Sequence, residues 1–139
     1  MASLEGSETG ANLRAAFAAD AQAVLRYRWF AEQADVDGQP ELGSVLRSVA
    51  DAEIGHATGH LDLLIDAGDP VTNSPIGESI DNVRAAIAAE EDEAAAMYPR
   101  FAQTARDEGF TEIAEWMESL ADASQRQAAR LRAALDELA

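Results

Sequence analysis

Four stretches of this chain repeat apolar residues at intervals of three and four, the spacing of a helix with one buried face. The first stripe runs Leu13, Phe17, Val24, Ala31, and the second runs Leu42, Leu46, Val49, Leu63 and Leu64. The third carries Ile80, Val83, Ile87, Ala94, Met97 and Phe101, and the fourth Ile113, Met117, Leu120, Leu131, Leu135 and Leu138. Helices are predicted over roughly 10–35, 40–66, 80–106 and 111–138. Thr9 and Ser79 are candidate N-caps. Asp37-Gly38-Gln39-Pro40 holds a glycine stop and a proline start, and Asp107-Glu108-Gly109 breaks the third helix from the fourth. Ala67 to Gly77 is the longest connection, with two prolines and two glycines. Two short turns and one long middle connection predict an all-α, single-domain chain over 1–139. Its expected form is a four-helix bundle of two antiparallel hairpins joined by a crossover.

Each stripe is interrupted by polar residues at one level. Asp20 and Tyr27 fall in the first, Glu53, His56 and His60 in the second, Glu90 near Glu93 in the third, and Ser124 with Gln127 in the fourth. A carboxylate and an imidazole one turn apart, as in Glu53-Ile54-Gly55-His56, is the spacing by which a helix presents two metal ligands together. Bundle-core metal sites take single carboxylates from two helices and a Glu-x-x-His from each of the other two. Here the second helix supplies one such pair, and the fourth supplies Ser124 and Gln127 in its place. Unpaired and ionised in a bundle core, carboxylates cost several kcal/mol each. A divalent cation, retained protons or admitted water would each relieve that cost.

An internal repeat supports the alignment of these levels. Asn12-Leu13-Arg14-Ala15-Ala16-Phe17-Ala18-Ala19-Asp20 matches Asn82-Val83-Arg84-Ala85-Ala86-Ile87-Ala88-Ala89-Glu90 at an offset of 70. Arg47-Ser48-Val49-Ala50-Asp51-Ala52 matches Glu118-Ser119-Leu120-Ala121-Asp122-Ala123 at an offset of 71. The third helix therefore holds one extra residue, between Glu91 and Arg100. A π-bulge is the simplest way to absorb it.

Composition narrows the chemistry. The net charge of −16 repels nucleic acid and anionic membrane surfaces. The absence of cysteine excludes disulfides, thiolate zinc sites and cysteine-held iron–sulfur clusters. With no leader pattern and no long apolar run, the protein is expected to be soluble and cytoplasmic.

The motifs together resemble the ferritin-like domain of the rubrerythrin family over nearly the whole chain. The resemblance rests on Ala16-Phe17-Ala18-Ala19-Asp20-Ala21-Gln22-Ala23, Tyr27, Glu53-Ile54-Gly55-His56, Glu90-Glu91-Asp92-Glu93, Met97-Tyr98-Pro99 and Glu108-Gly109-Phe110. It implies a ferritin-like bundle with a carboxylate-bridged di-iron centre that reduces hydrogen peroxide, an oxidoreductase of oxidative-stress defence. By resemblance, Glu53 is the bridging carboxylate, His56 the ligand beside it and Glu90 the terminal ligand of the third helix. Glu93 resembles the glutamate that exchanges with His56 when the iron changes oxidation state. Asp20 stands where the family has glutamate, one methylene shorter, and Ser124 and Gln127 replace the second Glu-x-x-His. Tyr27, Tyr98 and His60 are expected as outer donors around these ligands.

The expectation is a degenerate site holding one ion, Fe(II) or Mn(II) or Zn(II) in its place, through Asp20, Glu53, His56 and Glu93, with Glu90 left for a weak second. Electrons would come from an external donor protein. The alternative is a metal-free pseudo-enzyme serving as a structural or partner-binding bundle. A homodimer is the expected assembly, and the long connection permits hairpin exchange. It would not restore the missing ligands, because every copy carries Ser124 and Gln127; only a paralogous partner would supply them.

Overall fold

A computed structural model of the chain describes residues 2–138. Its regular elements are all helical: α1 Glu8–Val36, α2 Pro40–Leu63, α3 Ser79–Asp92, a π-helical turn Glu93–Met97, α4 Tyr98–Asp107 and α5 Thr111–Leu138. They fall into two compact units, Met1–Pro70 and Val71–Ala139, each a helical hairpin. No helix among the described residues is long and apolar enough to cross a membrane.

The first hairpin begins two residues earlier than Thr9 capping requires. Ser7 is the N-cap; its hydroxyl accepts from the Gly10 N–H at 2.9 Å and donates to the Leu4 carbonyl at 2.7 Å. A Cβ at Gly10 would run into that same carbonyl, so the close-packed turn from Leu4 to Ser7 depends on glycine there. Gly38, at φ +75°, reverses the chain, and Pro40 opens α2, where its missing N–H costs nothing. Asp35 pairs with Arg47, Arg28 with Asp51, Asp20 with His60, and Arg14 with the Ala67 carbonyl. Falling numbers on one helix meet rising numbers on the next, the register of an antiparallel pair. The Arg47 guanidinium is held above its ordinary pKa by its hydrogen bond to Asp35. Helix α2 stops at Leu63, three residues short of the expected 66, because the N–H groups of Ala67 and Gly68 turn back onto the Leu64 carbonyl. That turn buries Leu64 completely.

Between α1 and α2 the buried residues are small: Ala23, Ala31, Ala34, Ala50 and Ala57. Small side chains let helix axes approach closely, but a two-helix layer covers only one row of each helix. The single stripe read along α2 is therefore split in two. Leu46, Ala50, Glu53, Ala57 and Leu64 turn inward, whereas Leu42, Val49, His56 and Leu63 lie on an exposed row. Trp29 is likewise exposed on its hairpin, in edge contact with Phe30.

In the second hairpin the cap differs from expectation. Glu78, not Ser79, holds the N-cap position without a side-chain cap bond. Asn82 instead accepts the Gly77 N–H at 2.7 Å, which ties the loop to the first turn. The extra residue of the repeat is absorbed by the π turn, where the Tyr98 N–H reaches back five residues to the Glu93 carbonyl. Pro99 explains its position. Proline lacks an N–H, and its ring would collide with the carbonyl four residues earlier in a regular helix. Gly109, at φ +88°, makes the turn into α5, and Arg106 grips Glu118 through two bonds of 2.8 Å. The core is again alanine: Ala85, Ala102, Ala105, Ala114 and Ala128, with Ile87. Phe101, on the third stripe, and Trp116 are exposed on this hairpin for the same reason as Trp29.

Candidate metal centre

In the first hairpin α1 contributes Asp20 and α2 contributes Glu53, His56 and His60. The helical period sets Glu53 and His56 one turn apart, and Nδ1 of His56 lies 3.2 Å from Oε2 of Glu53. One ligand atom from each of Asp20, Glu53 and His56 falls within 4.8 Å of the others. Two ligands at right angles around one ion, each about 2.1 Å from it, are about 3.0 Å apart. The Glu53–His56 pair already has about that separation, and the Asp20 ligand atom lies within 4.8 Å of both. Side-chain exposure rises from 19% at Glu53 to 62% at His56, so the cluster opens to water on the imidazole side. Two carboxylates and one imidazole, with water for the remaining positions, fit a divalent transition metal. His60 stands outside this group and reaches Asp20, its Nε2 lying 2.8 Å from Oδ2.

The second hairpin places the matching residues differently. Ser124, buried in α5, donates its hydroxyl to Oε2 of Glu93 at 3.2 Å. Gln127, with its amide nitrogen turned toward Glu90, donates to Oε2 at 3.0 Å and Oε1 at 3.2 Å. Glu90 and Glu93 are thus held by neutral hydrogen-bond donors. Of the five expected ligands, three lie on the first hairpin and two on the second. Asp20, Glu53 and His56 form a metal-competent group, while Glu90 and Glu93 each occupy a hydrogen bond within their own hairpin.

Every acid of the polar layer has a donor: His60 for Asp20, His56 for Glu53, Gln127 for Glu90 and Ser124 for Glu93. Of the expected outer tyrosines, Tyr27 packs its ring beside Phe30 and under the Arg26 guanidinium. Tyr98 opens α4 directly after the π turn.

Residues 11–135 match the sequence profile of the Rubrerythrin family. The chain belongs to the rubrerythrin family. It is 39% identical over 116 residues to a rubrerythrin of Porphyromonas gingivalis, covering 81% of this chain and 58% of that protein. It is also 39% identical over 130 residues to a rubrerythrin of Nitratidesulfovibrio vulgaris, covering 90% and 68% respectively. A further relative, rubrerythrin-1 of Clostridium acetobutylicum, is 30% identical over 149 residues, covering 99% and 75%. The chain thus spans well over half, but not all, of the relatives it matches. Its all-α fold is that of the family's ferritin-like domain, and the family is one of iron-binding proteins. Sequence spacing alone could not disclose the His60–Asp20 pair, since the two residues lie 40 positions apart.

Proposed function

We propose that this chain is a rubrerythrin-family metal protein reduced to one strong site, held by Asp20, Glu53 and His56 in the first hairpin. The observation that carries this reading is the convergence of those three ligand atoms within 4.8 Å, set against the neutral donors on Glu90 and Glu93. Iron(II) or manganese(II) suits two carboxylates, one imidazole and water, and zinc(II) is a redox-inert competitor. When bound, a redox-active ion would supply one electron at a time.

Reducing hydrogen peroxide to two waters consumes two electrons and two protons. A site with one ion stores half of that requirement, so peroxide turnover is slow and limited by an external electron donor. The chain has no cysteine with which to build an iron–sulfur relay of its own. The side chains themselves perform simpler tasks. Glu53 and Asp20 set the charge of the site, His56 would offer the lone pair of a neutral ring nitrogen, and the exposed imidazole side leaves positions for water.

Anaerobic Fe(II) titration followed by metal analysis tests the proposal. About one equivalent per chain is expected, lost in His56→Ala and in Glu53→Ala. Protein that takes up no Fe(II), Mn(II) or Zn(II) would overturn it. The second reading, a metal-free bundle, draws on one specific observation: all four acids already have hydrogen-bond donors without a metal. It requires stability indifferent to chelators.

A further inference from the structure

We propose that His60 is a positioning residue: it holds Asp20, a ligand one methylene too short, within reach of the ion shared with Glu53 and His56. This inference rests on the one-metal reading above. Three observations support it.

The first is geometric. An ionised carboxylate only accepts hydrogen bonds, so the 2.8 Å contact puts the proton on Nε2 of His60 and directs it to Oδ2 of Asp20. One carboxylate oxygen is thereby fixed, leaving Oδ1 for the cation. The second is that His60 is not itself in the converging group. The atoms that gather within 4.8 Å come from Asp20, Glu53 and His56. His60 lies one turn further along α2, against α1, and both partners are largely enclosed, at 27% and 29% side-chain exposure. An imidazole restrained by packing orients a carboxylate better than water does, and such outer partners typically change metal affinity by about 10–100-fold.

The third is the internal repeat, which contains its own control. Asp20 corresponds to Glu90 at an offset of 70, and His60 corresponds to Leu131 at an offset of 71. Where the acid is short, a histidine stands across from it. Where the acid has its full length, leucine occupies the same place, and the hydrogen bond comes instead from Gln127. The short acid and the histidine form one compensated unit.

A double-mutant cycle on the full chain tests this, with Mn(II) as probe and its dissociation constant read by electron paramagnetic resonance. In the native background His60→Ala should weaken Mn(II) binding by about 10-fold or more. His60→Asn, which keeps an N–H donor, should recover part of the loss. In an Asp20→Glu background the longer side chain reaches the ion unaided, so His60→Ala should change the affinity by less than about 3-fold. Pulsed measurements of nitrogen coupling should show the same imidazole signal, from His56, with and without His60. Equal losses in both backgrounds would mean that His60 only braces the helices and would overturn the proposal. So would unchanged affinity in His60→Ala, or loss of a second nitrogen coupling, which would make His60 a ligand. Native protein that binds no Mn(II) but takes up Fe(II) or Zn(II) would overturn the positioning role while leaving the one-metal reading intact. Protein that binds none of the three overturns both.

Discussion

Ser124 donates its hydroxyl to Oε2 of Glu93 from a buried position on α5, at 3.2 Å. In the repeat Ser124 corresponds to Glu53, so a hydrogen-bond donor stands where the first hairpin has an acid. Gln127, corresponding to His56, likewise donates to Glu90. Both residues satisfy a neighbouring carboxylate directly, as His56 does for Glu53. An unmatched carboxylate would otherwise carry a desolvation penalty of about 1–3 kcal/mol or more. Within the second hairpin both acids are thus met by neutral donors.

Reversing those two replacements should restore a second site. Ser124→Glu with Gln127→His adds a carboxylate and an imidazole beside Glu90 and Glu93, all on one hairpin. Metal analysis after anaerobic Fe(II) loading should rise from about one ion per chain toward two, and Gln127→His alone should give little gain. Without metal the double variant should be less stable than the native protein. It gains an acid and loses two donors, each hydrogen bond contributing about 0.5–1.5 kcal/mol.

Chelation separates the one-metal reading from the metal-free one. A ligand that binds only the folded state at 100 times its dissociation constant stabilises it by about 2.7 kcal/mol. That should appear as a fall of roughly 5–12 °C in the thermal midpoint when metal is stripped from the native protein. The midpoint of His56→Ala should not respond to chelator. Equal midpoints for native protein with and without chelator would favour the metal-free bundle.

The two hairpins carry the same ion pair with its charges exchanged. Asp35 on α1 holds Arg47 on α2, and at the corresponding places Arg106 on α4 holds Glu118 on α5. The second is bidentate, with two 2.8 Å bonds, whereas the first has bonds of 2.8 and 3.4 Å. A double-mutant cycle on Arg106 and Glu118 should give a coupling of about 0.2–1 kcal/mol that shrinks in high salt. The Asp35–Arg47 pair should couple more weakly. Because the Arg47 pKa is raised on folding, its contribution is fully present below the unfolded arginine value and is lost only as pH rises through the folded one. On Arg47's account, stability should therefore be flat from about pH 6 to pH 9.

The helices, their turns and the repeat were legible in the sequence because they follow from local rules: the helical period, a glycine stop at Gly38 and a proline start at Pro40. The Glu53–His56 pair was legible for the same reason, since helical spacing fixes its geometry. Cap choice was less so. Ser7 prevails over Thr9 through a turn onto the Leu4 carbonyl, and Asn82 rather than Ser79 ties the loop to the second hairpin's first helix. The exposed rows on α2 were hidden because a stripe of threes and fours is wider than one alanine-lined helix contact covers. The donors on the acids were only partly visible. They depend on which residues face each other across a hairpin, and His60 with Asp20 is the clearest case.

The π turn offers the last test. The extra residue of the repeat falls where Glu93–Met97 adopts π geometry, while α1, which lacks it, is α-helical throughout. Either side of the turn the repeat still holds its faces, with Ala31 and Ala34 matched by Ala102 and Ala105, all buried. Deleting Ala95 should therefore give a regular helix without turning either end away from its partner. The variant should still fold, with a thermal midpoint lowered by Pro99, whose ring then meets the carbonyl four residues earlier in a regular helix. It should also lose the Glu93–Ser124 bond, because Glu93 is the first residue of the turn and its direction depends on it. Nuclear magnetic resonance of the Ser124 hydroxyl and amide region, together with thermal unfolding, would read both effects. A collapse in stability would instead show that the π turn holds α3 and α4 in register, and that the extra residue is a structural requirement rather than a device for aiming Glu93.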